Sequence, residues 1–357
     1  MLEQARRGGG SPVASALTAW GAYRRAPAGA DTAGGSAAGT APREPFFSGR
    51  FVAGALLVVL AAVVWRATRS YPTGVFDFYP LYYGAKAWLH GGNAYVLDAV
   101  VPLADKEKQL FQIGNVYPLP AVFLALPLSF LPPHLAGTVV VGLLTAGLVL
   151  ALRLHRWPWW PLLYLPVLEG LRIEQYTMVI LVLQLVALWA LRERRTWLLA
   201  LCCAVILSKP NQGLMFVLAL LLLARDRRQV AKVGAVCALV WGGAFLLDPT
   251  WVAEWIPTLH NSHETLHQPF YWQLGLLAIP LLLARDLVGG ALVLQFVMLP
   301  FPGSYAASAL PLAVLPDRRG IWLAPLSFLW PFAAVLLGAA WATGLTLVLP
   351  VVALALL

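Results

Sequence analysis

Residues 175–191 read QYTMVILVLQLVALWAL and are followed at once by Arg192-Glu193-Arg194-Arg195. The run is apolar on nearly every face of a helix, so it has no side to turn to water. An all-round apolar helix closed by arginines is the pattern of a membrane-embedded segment with a cytoplasmic end. The same pattern repeats outward in both directions. A first strong run, Phe51–Trp65, follows Arg50, and later runs cover roughly 117–133, 134–152, 158–170, 197–208, 211–224, 230–247, 271–284, 287–300, 303–316, 321–341 and 342–357. Several are shorter than the roughly 20 residues a straight crossing needs and carry Pro at their ends, which suits helices broken around an internal cavity. The reading predicts an all-α, polytopic transmembrane helical protein with about 10–13 membrane segments.

Composition agrees. The chain has 357 residues, a formal charge of +9, 60% hydrophobic and only 11% charged residues, and a mean hydropathy of +0.74. Soluble domains carry about 25% charged residues, so a water-soluble enzyme is excluded. The basic residues lie between apolar runs and line no single face, which excludes nucleic acid as a partner. Cys202, Cys203 and Cys237 sit inside apolar runs and read as small buried hydrophobes. Residues 1–50 are rich in Gly, Ala, Ser and Pro with scattered arginines, and read as a disordered basic cytoplasmic tail. Residues 51–357 read as a multi-spanning membrane catalytic domain.

Charge punctuation sets an orientation. Arg192–Arg195, Arg225–Arg228 with Lys232, Arg285 and Arg318-Arg319 belong in the cytoplasm. Asp77, Glu169–Tyr176, Ser208–Gln212, Asp248–Tyr271 and Ser304-Tyr305 then converge on the opposite, extracytoplasmic face. Parity leaves the path of 117–133 open, since a full crossing there would put Arg153 and Arg156 outside. The polar interval 71–116 is the first extracytoplasmic loop, and within it Phe78–Leu89, ended by Gly91-Gly92, reads as a short helix on the membrane surface.

Ionisable groups near membrane depth mark functional sites. Asp77, among Phe76, Phe78, Tyr79, Tyr82 and Tyr83, could be a general base whose pKa rises on desolvation, with aromatics such as Tyr82 stacking on a sugar; it could equally cap the helix that follows. Lys209 at a broken-helix junction could counter a phosphate or merely snorkel, and Arg172 has the same two readings. Glu174 and Gln175 could bond sugar hydroxyls or simply start a helix. His263-Glu264-Thr265-Leu266-His267 matches H-E-x-x-H, a zinc pattern on a helix. It lies in a polar loop between Pro257 and Pro269, and no third ligand follows, so no metal is assigned. The histidines could instead contact a phosphate. Trp157, Trp159, Trp160 and Tyr164 read as an interfacial belt. No Gly-rich phosphate loop, Walker motif or nucleotide-binding fingerprint is present.

These motifs in their order resemble glycosyltransferase family 87, polyprenyl-phosphate-sugar-dependent mannosyltransferases of the GT-C fold. The resemblance spans roughly residues 50–320. It rests on Asp77-Phe78, Tyr82–Leu89 and Gly91–Tyr95, on Tyr117-Pro118-Leu119-Pro120, on Leu131-Pro132-Pro133, on Ser208-Lys209-Pro210, on Trp251–Pro257 and on Ser304-Tyr305. Glu174-Gln175-Tyr176 stands where the family usually has Gly-Gln-x-Asn, so Glu174 replaces a Gly and Thr177 an Asn.

The resemblance implies a GT-C-type fold and an inverting transfer of a hexose, mannose above all, from a polyprenyl-phosphate-sugar donor to a lipid or glycan acceptor outside the cytoplasm. It implies Asp77 as the catalytic base, and Lys209, His263, His267, Arg172, Gln175, Glu174, Tyr82 and Tyr117 as the donor phosphate- and sugar-binding set, with no cofactor. The protein is expected as an integral, multi-pass protein of a bacterial plasma membrane, in contact with membrane lipids. A transporter or flippase of lipid-linked sugars and a membrane zinc metalloprotease using His263 and His267 are the alternatives.

Overall fold

The computed structural model describes residues 49–67, 77–96, 115–224, 226–266, 272–298, 304–315 and 318–357. The expected tail therefore lies outside the described residues, apart from the start of the first helix. Among the described residues the chain is all helix and turn. Its main elements are α1 (Gly49–Ala67), α2 (Phe78–Leu89), α3 (Leu119–Ala125), α4 (Pro133–His155), α5 (Leu165–Arg172), α6 (Thr177–Arg192), α7 (Thr196–Ile206), α8 (Pro210–Ala224), α9 (Arg227–Leu247), α10 (Trp251–Leu266), α11 (Leu287–Leu294) and α12 (Ala339–Leu356).

Three of these, α4, α9 and α12, are long and apolar enough to cross a membrane, and a fourth span is possible if the pair Arg319–Ser327 and Trp330–Leu337, bent by 52°, is one crossing. This is an all-α, polytopic membrane architecture, with fewer full-length spans than the 10–13 segments read from the apolar runs. Pro and tight turns cut the other runs into helices of 10–17 residues, which pack on one another instead of crossing singly.

One end of the bundle is basic. The Arg153 guanidinium lies 4.8 Å from the Phe51 ring at the start of α1, and Arg192 donates to the Leu154 carbonyl at 3.3 Å. The C-terminal ends of α4 and α6 therefore meet the N-terminal end of α1. Both α4 and α6 stop in a left-handed residue, Arg156 (φ 57°) and Arg194 (φ 55°). Each turn is closed by a bond spanning five residues, Trp157 N–H to Leu152 at 2.9 Å and Arg195 N–H to Ala190 at 2.8 Å.

The path of 117–133 follows from the other end. The Tyr117 hydroxyl bonds to Gln175 at 3.1 Å and the Tyr82 hydroxyl to the Leu131 carbonyl at 2.7 Å, so both ends of that segment lie beside α2. It is re-entrant, and α4 then starts at Pro133, where a proline needs no amide partner, and runs down to the basic end. This places Arg153 and Arg156 with Arg192.

α2 is buried along most of its length, packed on α3 and α4, and does not lie flat on a membrane surface. Its apolar residues cover nearly the whole circumference, so it has no polar side to give to water. Trp157, Trp160 and Tyr164 are buried as well, and Trp157 stacks on His155 with ring centroids 3.9 Å apart.

α7 has 11 residues. From Arg195 at the basic end to Lys209 the rise is only about 20 Å, short of the roughly 30 Å of hydrocarbon a membrane presents. The α7–α8 corner is therefore recessed. It can turn so sharply because Gly213 of α8 packs on the Ile206 carbonyl, where a Cβ would stand 2.3 Å from the oxygen. Gly213→Ala is expected to destabilise the protein by about 1–3 kcal/mol through overpacking, read as a fall in the Tm of the purified protein. Gly234→Ala, whose Cβ would meet nothing within 4 Å, should leave Tm unchanged or raise it; equal shifts in the two variants would contradict this account.

Candidate active site

Four of the residues singled out in the sequence, Asp77, Tyr117, Gln175 and Lys209, meet at the end of the bundle opposite the arginines. Asp77 stands immediately before α2, where an aspartate ordinarily turns its carboxylate onto the free amides of the first helical turn. Here it makes no such cap, and its carboxylate accepts from the side-chain amide of Gln175. Its backbone N–H donates to the Ile173 carbonyl at 2.9 Å, which ties the start of α2 to the end of α5.

Gln175 lies just past a third left-handed helix end. Glu174 has φ 55°, and Gln175 N–H bonds back to Gly170 at 2.8 Å, so the chain leaves α5 abruptly and begins α6 within two residues. Lys209 sits at the matching corner between α7 and α8, just before Pro210. The two corners are clamped by the Tyr176 and Ser208 hydroxyls at 2.6 Å.

Lys209 Nζ donates to Gln175 Oε1 at 2.9 Å and to Thr177 Oγ1 at 2.8 Å. The Tyr117 hydroxyl donates to the same Gln175 oxygen at 3.1 Å, and Lys209 Nζ lies 5.6 Å from the Tyr117 ring centroid. The Tyr305 hydroxyl also bonds to Gln175 and faces Asp77. An ammonium only donates, so the amide oxygen must face Lys209 and the amide nitrogen must face Asp77. Gln175 is thus a neutral bridge between an acid and a cation. Burial pushes the Asp77 carboxyl up to about 6, against the pull of Lys209, which lowers it. Asp77 and Lys209 are both only partly buried, so each keeps a side toward which a substrate can approach.

The remaining candidates are placed differently. Tyr82 is fully buried on the inner side of α2, with its hydroxyl bonded to Leu131. Glu174 is buried in an ion pair with Arg66. Arg172 is half exposed and paired with Glu169 on its own helix. His263 lies on α10, a helix and not the polar loop expected, which continues past its internal Pro257 to Leu266. α10 is braced from outside its own backbone, as Trp255 Nε1 bonds to the Val116 carbonyl at 2.9 Å and the Thr258 hydroxyl to the Asn115 carbonyl at 3.0 Å. The side chain of His263, and His267 altogether, lie outside the described residues. Among the described residues no group of three His, Cys, Asp or Glu could hold a metal ion.

Thr177 and Tyr305 join the cluster without having been singled out as site residues, although Tyr305 lies in a stretch that carries the family resemblance and Thr177 stands where the chain departs from the family's Asn. Arg66 also escaped notice, although it carried a signal: with Arg69 it closes the first apolar run at the end where positive charge is unexpected.

The helical membrane fold thus carries a cluster of acid, amide and cation at one end. A family model described as glycosyltransferase family 87 matches residues 115–357, well over half of the chain, and the protein belongs to that family. It is a glycosyltransferase. The matched segment carries Tyr117, Gln175 and Lys209, while Asp77 and Tyr82 lie upstream of it. No curated protein and no solved structure matches the chain significantly.

The raised Asp77 gives a direct expectation. A carbodiimide that modifies protonated carboxyls should label Asp77 below about pH 6 and lose that labelling as pH rises through it. In Lys209→Met the lowering pull is gone and the midpoint should move to higher pH. Mass-spectrometric labelling against pH checks both, and a midpoint near 4, the usual range of an exposed carboxylate, would contradict the burial described here.

Proposed function

We propose that the protein transfers a hexose, mannose above all, from a polyprenyl-phosphate-sugar donor to a lipid or glycan acceptor on the extracytoplasmic side of a bacterial plasma membrane, as a multi-pass enzyme of the GT-C type. The observation that carries this reading is the Asp77–Gln175–Lys209 bridge. An acid with a pKa near 6 is available as a base at neutral pH, and a cation one amide away can oppose the charge of a leaving phosphate.

In this mechanism the Asp77 carboxylate takes the proton of the acceptor hydroxyl. The acceptor oxygen forms its bond to the sugar C1 from the face opposite the leaving phosphate, and the bond from C1 to the phosphate oxygen breaks. The electron pair stays on the phosphate, whose added negative charge Lys209 stabilises. A single displacement inverts the anomeric centre. Gln175 and Tyr117 hold Asp77 and Lys209 in place and offer polar contacts to the sugar. Rising bulk pH does not impair this base, while protonation of Asp77 at low pH removes it.

The recessed α7–α8 corner supports a donor that arrives within the bilayer, since a phosphate at the level of Lys209 leaves its hydrocarbon chain in the apolar zone. The Arg-rich end opposite supports an extracytoplasmic site.

With purified enzyme, polyprenyl-phosphate-mannose and membrane lipid acceptors, Asp77→Ala should lower kcat by about 10²–10⁴-fold, the usual contribution of a positioned base. Lys209→Ala should lower it by about 10²–10³-fold. Product carrying an inverted anomeric linkage is expected. Unchanged turnover in Asp77→Ala would remove the aspartate from the reaction and with it this mechanism.

A further inference from the structure

Arg66 closes α1, and its side chain is almost completely buried. Its guanidinium pairs with the equally buried Glu174 carboxylate and donates through Nη2 to the Tyr79 hydroxyl at 3.4 Å. Those two partners are informative. Glu174 is the left-handed residue that immediately precedes Gln175, and Tyr79 is two residues past Asp77 on the first turn of α2. One buried guanidinium thus grips both segments that present the bridge. α4 makes room for the pair with Gly137, where a Cβ would stand 2.7 Å from Arg66 Nη2 and 2.7 Å from Glu174 Oε2. A buried ion pair is a poor source of net stability, so its presence calls for another role.

We infer that the Arg66–Glu174 pair, seated against Gly137, is a positioning device that holds Asp77 and Gln175 in register. It touches no reacting atom. It acts by fixing the α5–α6 corner and the start of α2 against the end of α1, and by keeping a balanced charge behind the acid. The groups facing Asp77 are Lys209 from the α7–α8 corner, the Gln175 amide, and the Tyr117 and Tyr305 hydroxyls. Beside Glu174, the Glu169–Arg172 pair of α5 is neutral in sum. Breaking the Arg66–Glu174 pair from either side leaves one new charge near Asp77, and its sign depends on which partner is removed.

The inference rests on Asp77 as the group whose placement matters, and two readouts separate it from the donor assignment. Carbodiimide labelling of Asp77 against pH requires no donor, and transfer from polyprenyl-phosphate-mannose does. In Glu174→Gln the unbalanced guanidinium should shift the labelling midpoint to lower pH. In Arg66→Gln the unbalanced carboxylate should shift it to higher pH. Both should lose about 10²-fold in kcat, the effect of a roughly 1 Å misplacement, with KM little changed.

Should either single variant fail to fold, the double variant Arg66→Gln/Glu174→Gln keeps hydrogen-bonding groups and buries no lone charge. It should return the midpoint to the wild-type value while kcat stays low. Gly137→Ala, which keeps both charges and crowds the pair, should also lower kcat with the midpoint unmoved. Identical midpoints in the two single variants, or wild-type kcat in a folded double variant, would overturn the inference while leaving the transfer reaction intact. Opposite midpoint shifts in a protein that does not use the mannosyl donor would leave the positioning device standing and defeat the donor assignment.

Discussion

Everything at the end of the bundle opposite the arginines turns on an acid and a cation that share one neutral amide. In a part-buried site of low effective dielectric, two opposite charges held at contact would satisfy each other, and the acid would lose its affinity for a proton. Held far apart, each would stand as a lone charge in apolar surroundings, at a cost of several kcal/mol. Gln175 keeps the pair between these limits. Its nitrogen serves Asp77 and its oxygen serves Lys209, so both charges are bonded, yet the desolvation of Asp77 still outweighs the pull of the lysine. A carboxyl near 6 in that setting is ionised at neutral pH and remains basic enough to accept a proton.

The fold earns this arrangement by using helices that are too short. α7 brings the chain from the basic end only part of the way before turning, and Pro210 opens α8 at once. α5 ends in a residue with positive φ, which swings Gln175 out of the helix and toward Lys209. The re-entrant segment 115–131 then lays Tyr117 beside the amide and is pinned from outside by Trp255 and Thr258 of α10. Long spans such as α4 and α9 supply the frame, while the polar cluster sits where helices stop.

This explains what could be read from the sequence and what could not. Asp77, Gln175 and Lys209 were legible because a polar residue at the end of an apolar run is costly in a membrane and so stands out, and the arginine clusters fixed which ends belong together. The number of crossings was not legible, because an apolar run interrupted by proline looks alike whether it spans a bilayer or packs as a short helix against its neighbours. The burial of α2 was missed for a related reason: aromatic residues around Asp77 suit a membrane surface and a protein interior equally, and only contacts with α3 and α4, distant in sequence, decide between them. His263 shows the reverse error. Pro257 looked like the end of a helix, but bonds from Trp255 and Thr258 to residues 115 and 116 hold α10 against another segment.

Glu174 shows how backbone and charge can be traded at one position. A left-handed turn accepts glycine freely and charges any other residue about 1–2 kcal/mol. Glycine is also what the family pattern usually carries there. Glycine, however, cannot reach Arg66. Losing one partner of a buried ion pair costs about 3–5 kcal/mol, more than the turn would regain, so once Arg66 occupies the end of α1 the glutamate is the better residue despite its strained backbone. The dependence runs both ways, because Arg66 is tolerable in that interior only with a carboxylate waiting for it. Gly137 belongs to the same set, since the pair fits only where α4 offers no side chain. Arg66, Gly137 and Glu174, from three different helices or their ends, therefore constrain one another as a unit, and the residue next to that unit is the amide on which both charges of the site depend.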